Sequence, residues 1–335
     1  MRTDNFFCTS CGYGPSEDPK TCAGCGAKSQ EFFEDRDEGM YRYLKFQNLR
    51  DRATSPAKTY SEKVIRKLAY DRNPLLVTFA DKILARDYVA AKVGPQYLTK
   101  MFSSGTNPVG IMWDELPNEY VVKVNHGSGG IIVVREDADP GHSLPERLPE
   151  NDWSRFDVHP TSMDPVRATR ILRQWLTQDF CWRADNAPEW AYQYVKRQYL
   201  VEEYIQDGTG NFPIDVKIFV MQGVARIIRL RSTDLQATRA VADVDRDWTR
   251  YDVTCSDSKP FLSLTPTPEK PENLDELLHI AETLGSEIDA VRVDLYNVNG
   301  RIYFGELTNY PNAGNLKWEP DEFNYQAGAW WEQNY

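Results

Sequence analysis

At 335 residues, 41% of them hydrophobic, the chain is long enough for two or three domains and can bury a full core. Its 39 Lys and Arg against 50 Asp and Glu leave a formal net charge of -11, which argues against nucleic acid as a general partner, since phosphate recognition draws on a basic face. The start, Met1-Arg2-Thr3-Asp4-Asn5, lacks the cationic-then-apolar order of a signal peptide, and no later run is apolar enough to span a bilayer, so the expected location is the cytoplasm.

Thiols stay reduced in that compartment, so the six cysteines point to metal binding or burial rather than disulfides. Four of them form Cys8-x-x-Cys11 and Cys22-x-x-Cys25, each second cysteine followed by a glycine, Gly12 or Gly26. Two such turns complete a tetrahedral four-thiolate site, which predicts a zinc-ribbon-like module over residues 1–30. Rubredoxin-like iron would use the same ligands. With every position filled by protein, the zinc is structural, a folding staple or a docking knob for a protein partner. Cys181 and Cys255 read as small buried side chains.

Residues 31–115 read as mainly helical. Apolar residues recur at helical spacing over 63–70 and 81–93, with Ser61 as a cap for the first run and Gly94-Pro95 closing the second. The runs 119–124 and 131–134 are β-branched and flank a glycine-rich loop. A polar loop over 137–165 and a helix over 168–182 follow. Strands are expected at 199–205, 214–221, 225–230, 290–296 and 301–307, with a helix at 274–284 and a proline-bearing loop at 259–271. The class is α+β with mainly antiparallel sheets.

Two segments carry chemistry. In Lys123-Val124-Asn125-His126-Gly127-Ser128-Gly129-Gly130 the glycines lead into a strand, not a helix, so the loop reads either as an ordinary exposed hairpin or as a flap over a nucleotide, with backbone N–H groups on phosphate oxygens and Lys123 as a cationic point charge. The later strands carry Arg292, Asp294 and Glu306 within apolar runs. A two-residue Asn299-Gly300 turn pairs Val293 with Glu306 and sends the carboxylates to opposite faces. A three-residue loop over 298–300 pairs Arg292 with Glu306 and brings Asp294 to the same face. A magnesium site therefore needs the second register or a bulge, with Arg292 steadying a transferring phosphoryl group. The alternative is a cross-strand salt bridge on a solvated face. The strand at 199–205 carries two acids, Glu202 and Glu203, which read by themselves as solvated edge residues.

Taken in order, Ala80-Asp81-Lys82 with Arg86-x-Tyr88-Val89, Lys123-x-Asn125-His126-Gly127-Ser128-Gly129, Asp215-Val216-Lys217 and Phe304-Gly305-Glu306-Leu307-Thr308 resemble the TupA-like ATP-grasp family over residues 40–330. The resemblance implies an ATP-grasp fold, with one subdomain over 116–205 carrying the flap and another over 206–335 carrying the magnesium carboxylates. It implies Lys82 and Lys123 on the nucleotide phosphates and Gly127, Ser128 and Gly129 in the flap. Glu202 would approach the adenine amino group, beside the hinge backbone of Glu203 and Ile205. Asp294 and Glu306 would hold magnesium, with Asn309 as a third ligand one place beyond the usual position, occupied here by Thr308. Asp215 and Lys217 would face ribose or substrate, and Arg292 with Arg229 or Arg231 the acyl phosphate. The implied activity is an ATP- and Mg2+-dependent carboxylate-amine ligase acting through an acyl phosphate, on small-molecule or carrier-linked substrates such as a surface polysaccharide or a peptide-like product. A kinase on the same fold and a non-catalytic zinc-module scaffold are the competing readings.

Overall fold

The computed structural model describes residues 7–8, 32–33, 36–182, 188–206, 208, 213–233, 238–257 and 259–335. Cys11, Cys22 and Cys25 lie outside these residues. Of Cys8 only the backbone is described, in β1 (Phe7–Cys8), which pairs antiparallel with β2 (Phe32–Phe33).

Four helices follow. α1 spans Arg36–Arg52 and α2 spans Tyr60–Tyr70. The cap of α2 is Thr59 rather than Ser61. The Thr59 hydroxyl accepts from Glu62 N at 3.3 Å while the Glu62 carboxylate accepts from Thr59 N at 2.9 Å, a reciprocal box that satisfies two end donors. The helix expected over 81–93 begins earlier and breaks, giving α3 (Leu75–Ala80) and α4 (Lys82–Lys92). Asp81 makes the break: its extended backbone cannot continue the helix, and its carboxylate accepts from Ile83 N at 2.9 Å.

The smaller sheet runs β3 (Met101–Gly105), β7 (Tyr199–Glu203), β4 (Tyr120–Val124), β5 (Ile131–Val134), β6 (Arg155–Val158). Alternation in β4 buries Tyr120, Val122 and Val124, which join a core with α5 (Pro165–Thr177) through Ala168, Ile171, Leu172 and Trp175. Lys123 consequently projects from the other face. The larger sheet runs β12 (Leu262–Ser263), β10 (Arg239–Val244), β9 (Val224–Thr233), β8 (Asp215–Met221), β13 (Ala290–Val298), β14 (Arg301–Thr308). Val220 and Val291 abut α6 (Leu274–Gly285) so closely that a Cβ on Gly285 would lie 2.6 Å from Val220. That apolar face is covered. The opposite face carries the charges, with Phe219 capped by Tyr60 and Trp318 at its edge.

All pairings are antiparallel except β5 with β6 and β10 with β12, as an α+β class requires. Strands β3, β6, β10 and β12 were not expected from sequence. β3, β6 and β12 are short and polar, whereas β10 buries Val241, Ala242 and Val244; all join sheets whose other strands supply the stronger apolar pattern. A two-stranded ribbon of β11 (Thr254–Ser256) and β15 (Lys317–Glu319) and a last helix, α7 (Glu322–Ala329), complete the chain. Among the described residues no helix is long and apolar enough to cross a membrane.

Candidate active site

Register places a row of charge across the larger sheet. Glu306 pairs with Asp294, Asp294 with Lys217, Lys217 with Arg229 and Arg229 with Asp243. The next row on the same face holds Tyr296, Asp215 and Arg231. The hairpin between β13 and β14 turns on two residues, Asn299 (φ 52°) and Gly300 (φ 82°), with Val298 paired to Arg301. The three-residue loop is therefore incorrect. The carboxylates nevertheless share a face, because a bulge between Asp294 and Leu295 leaves Gly305 unpaired and shifts Glu306 from Val293 to Asp294.

Arg292 grips Asp294 with both prongs, Nε to Oδ1 at 2.6 Å and Nη2 to Oδ2 at 2.7 Å. Its Nη2 also donates to Glu306 Oε1 at 3.1 Å and to Thr308 Oγ1 at 2.9 Å, and the Thr308 hydroxyl donates to Glu306 Oε1 at 2.8 Å. Lys217 pairs with Asp294 Oδ2, the oxygen that Arg292 Nη2 also holds. Burial opposes ionisation of Asp294, but Arg292 and Lys217 outweigh it and hold the carboxyl down at about 2. Burial likewise pulls Lys217 below the ordinary lysine range, against the attraction of Asp294. Arg231 pairs with Asp215 through Nε at 2.6 Å. Arg229 is closed off: it forms a fork with Asp243 at 2.7 and 2.7 Å, and Trp318 Nε1 donates to the same carboxylate at 2.7 Å.

The smaller sheet contributes the other cations. Lys123 pairs with Glu202 Oε1, while Arg86 at 3.3 Å and the Thr99 hydroxyl at 3.0 Å engage Oε2. Burial would raise the Glu202 carboxyl, yet these partners, Lys123 foremost, keep it below the usual range. The acid expected near adenine thus serves in this structure to hold Lys123. Glu203 donates its backbone N–H to Lys100 O at 2.9 Å, and Ile205 lies half-buried just past β7. Lys82, first residue of α4, donates to the Gly127 carbonyl. Burial lowers its ammonium to about 8, while Glu306 is the strongest of the charges acting on it, followed by Lys123, Asp81 and Glu202. Lys82 therefore feels charges carried by both sheets.

The flap is packed at its base. Gly127, Gly129 and Gly130 all have positive φ, and a Cβ on Gly127 would fall 2.6 Å from the Phe180 ring. His126 is buried against Trp153 and loses basicity to about 4, chiefly through burial and then Arg197. Only Ser128 at the tip is exposed among 124–130.

Period two along β14 puts Thr308 on the face of Glu306, and the Asn309 amide donates to the Leu76 carbonyl at 2.7 Å, while its buried Oδ1 meets no partner among the described residues. Residues that sequence reasoning left without a role are Arg86, Thr99, Asp81 and Asn125. Arg86, Asp81 and Asn125 stood inside quoted motifs; Thr99 had no signal.

Among solved structures the chain is similar to the D-alanine–D-alanine ligase from Bacillus anthracis, at 15% identity and TM-score 0.39, covering 71% of this chain and 60% of that one. It is also similar to the D-cycloserine synthetase DcsG, at 12% identity and TM-score 0.39, covering 76% and 70%. For the ATP-grasp ligase PsnB complexed with minimal precursor the values are 10% and 0.35, covering 71% and 53%. The chain spans about 60% of the length of the first of these, and at such scores the likeness is too slight to bear on activity. No curated protein matches the sequence. A family model described as TupA-like ATPgrasp matches residues 158–331, more than half of the chain, from β6 past α7 and including Glu202, Asp215, Lys217, Arg231, Arg292, Asp294 and Glu306. The chain belongs to the TupA-like ATPgrasp family.

Proposed function

We propose that the protein is an ATP- and magnesium-dependent ligase joining a carboxylate to an amine. The observation that carries this reading is the pairing of Asp294 with Glu306 on one face, with the ammonium of Lys82 acted on by Glu306 and Lys123. The donors suit magnesium. Asp294 is ionised throughout the working range, and Glu306 is 42% exposed with only Oε1 engaged among the described residues. Two hard oxygens on adjacent strands leave the remaining positions to water and nucleotide phosphates. Magnesium bound there would supply positive charge to the β- and γ-phosphate oxygens.

The chain's own residues do the rest. Lys82 and Lys123 neutralise phosphate charge, and Arg292 orients Asp294 and Glu306 at once. The loop over 125–130 excludes water that would hydrolyse an acyl phosphate. A substrate carboxylate oxygen attacks the γ-phosphorus and the bond to ADP breaks. An amine nitrogen then attacks the acyl carbon, phosphate leaves with the shared oxygen, and the nitrogen gives up a proton. The substrates would be small or carrier-linked.

Lys123→Met and Glu306→Gln are each expected to cut ATP turnover more than a hundredfold with a melting curve like wild type. Near-full turnover in either contradicts the assignment. Hydroxylamine added during turnover is expected to yield a hydroxamate; a stable phosphate ester instead would mean the kinase reading. Zinc on Cys8, Cys11, Cys22 and Cys25 belongs to the same proposal on the strength of their spacing. One zinc per chain by elemental analysis, lost in Cys22→Ser, is the expected outcome.

A further inference from the structure

We infer that Asn125, with Asp81, is a positioning residue that sets Lys82 relative to Lys123; this rests on the ligase reading for its purpose, not for its geometry. Asn125 is fully buried, at 0% exposure, and Asp81 at 3%. A buried amide has two donor hydrogens and an acceptor to satisfy, and here each finds a partner. Asn125 Nδ2 donates to Asp81 Oδ1 at 2.9 Å and to Lys196 O at 2.8 Å, and its Oδ1 accepts from Gln198 N at 2.7 Å. Its backbone N–H donates to Gln198 O at 2.9 Å and its carbonyl accepts from Lys82 N at 3.2 Å.

These five bonds join three segments. Asn125 follows the end of β4, two residues after Lys123. Gln198 precedes β7, which carries Glu202, the partner of Lys123. Asp81 is the cap of α4, so the carboxylate that receives the Asn125 amide also fixes the first turn of the helix that begins at Lys82. The bridge between Asp81 and His126 extends the same seam into the flap, whose Gly127 carbonyl accepts from Lys82. The Asn125 amide, acting on Lys82 through the Asp81 cap, and the Asn125 backbone together tie the Lys82 strut, the Lys123 strand and the root of the flap.

The chemistry admits few substitutes. Aspartate at 125 keeps the acceptor for Gln198 N but loses both donors and sets a second carboxylate against Asp81 and the Lys196 carbonyl. Alanine takes away the side-chain partner of the Lys196 carbonyl and of the Gln198 N–H, and one of the donors to Asp81. Glutamine carries the same amide one methylene too far into a closed space.

The experiment reads Lys82 directly. Wild type and Asn125→Asp are labelled with limiting acetic anhydride without nucleotide, and the rate at Lys82 relative to exposed Lys259 is read by mass spectrometry, alongside MgADP affinity by calorimetry and the thermal melt. The expected result for a variant that melts cooperatively is at least fivefold faster labelling at Lys82 and at least tenfold weaker MgADP binding. Unchanged labelling in a cooperatively melting variant overturns the inference, because a purely structural asparagine would move the melt alone. If Asn125→Asp does not melt cooperatively, Asp81→Ala, which severs one of the five bonds, is read in the same way with the same two outcomes. A wild type that binds no MgADP refutes the ligase reading, while the labelling rates still decide whether Asn125 positions Lys82.

Discussion

Lys82 shows what a lysine gains and loses by burial. The medium around it disfavours the ammonium, and Glu306, Asp81 and Glu202 recover only part of that cost, which leaves it titrating at about 8. The sign for ligand binding follows. Phosphate is attracted by the charged form, so affinity for ATP is full below pH 8 and falls as pH rises through it. A tenfold loss between pH 7.5 and 9.5 is expected in calorimetric titrations, flattened in Lys82→Arg, whose guanidinium stays charged; a wild-type affinity constant over that range would contradict the placement. Nothing local in the sequence separates Lys82 from the other lysines. It was reached by family resemblance, and what makes it unusual comes from β14 and the flap, both distant in the chain. Asp294 and Glu306 were readable because carboxylates interrupt apolar strands, whereas the engagement of Glu202 by Arg86 and Thr99 was hidden in long-range contacts.

At the scale of elements, the hairpin of β13 and β14 is instructive. Its turn residues announce a two-residue connection, and that connection alone would separate the carboxylates. A glycine inside a strand is a recognised sign of a bulge, and Gly305 was the available signal for the shift that reunites them. The flap teaches the converse. Its glycines suggest freedom, but Gly129 at φ 93° brings its backbone so near Trp153 that a Cβ would sit 2.1 Å from the Trp153 carbonyl oxygen. Gly129→Ala therefore meets both a left-handed backbone and a collision. A loss of about 2–4 kcal/mol in denaturant unfolding is expected; a loss under 0.5 kcal/mol would show that the loop does not rest on Trp153. Strand ends and helix α6 were read to within a few residues, since period and flanking turns encode them. The short polar strands β3, β6 and β12 were not, because pairing partners and not their own residues define them.

At the scale of the whole molecule, a buried knot ties α2 to the last residues. Lys67, at 0% exposure, bridges Asp71 at 2.7 Å and Asp289, and Asp289 also accepts from Trp331 Nε1 at 2.7 Å and the Tyr335 hydroxyl at 2.8 Å. Lys67→Met would leave two carboxylates without their cation, an expected loss of about 3–5 kcal/mol in unfolding free energy, against which a near-wild-type melt would speak. The same long-range logic builds the functional face. The charged row from Asp243 to Glu306 crosses five strands, and no window of sequence contains it. On the proposed reading ATP lies between Lys82 of α4 and Lys123 of β4 on one side and the carboxylates of the larger sheet on the other. Calorimetric titration of ATP, with and without magnesium, into wild type, Lys123→Met and Glu306→Gln tests this most directly. Wild type is expected to bind more tightly with magnesium, Lys123→Met to bind more weakly in both conditions, and Glu306→Gln to lose only the magnesium-dependent part. Equal binding in all three proteins, or none in wild type, would contradict it.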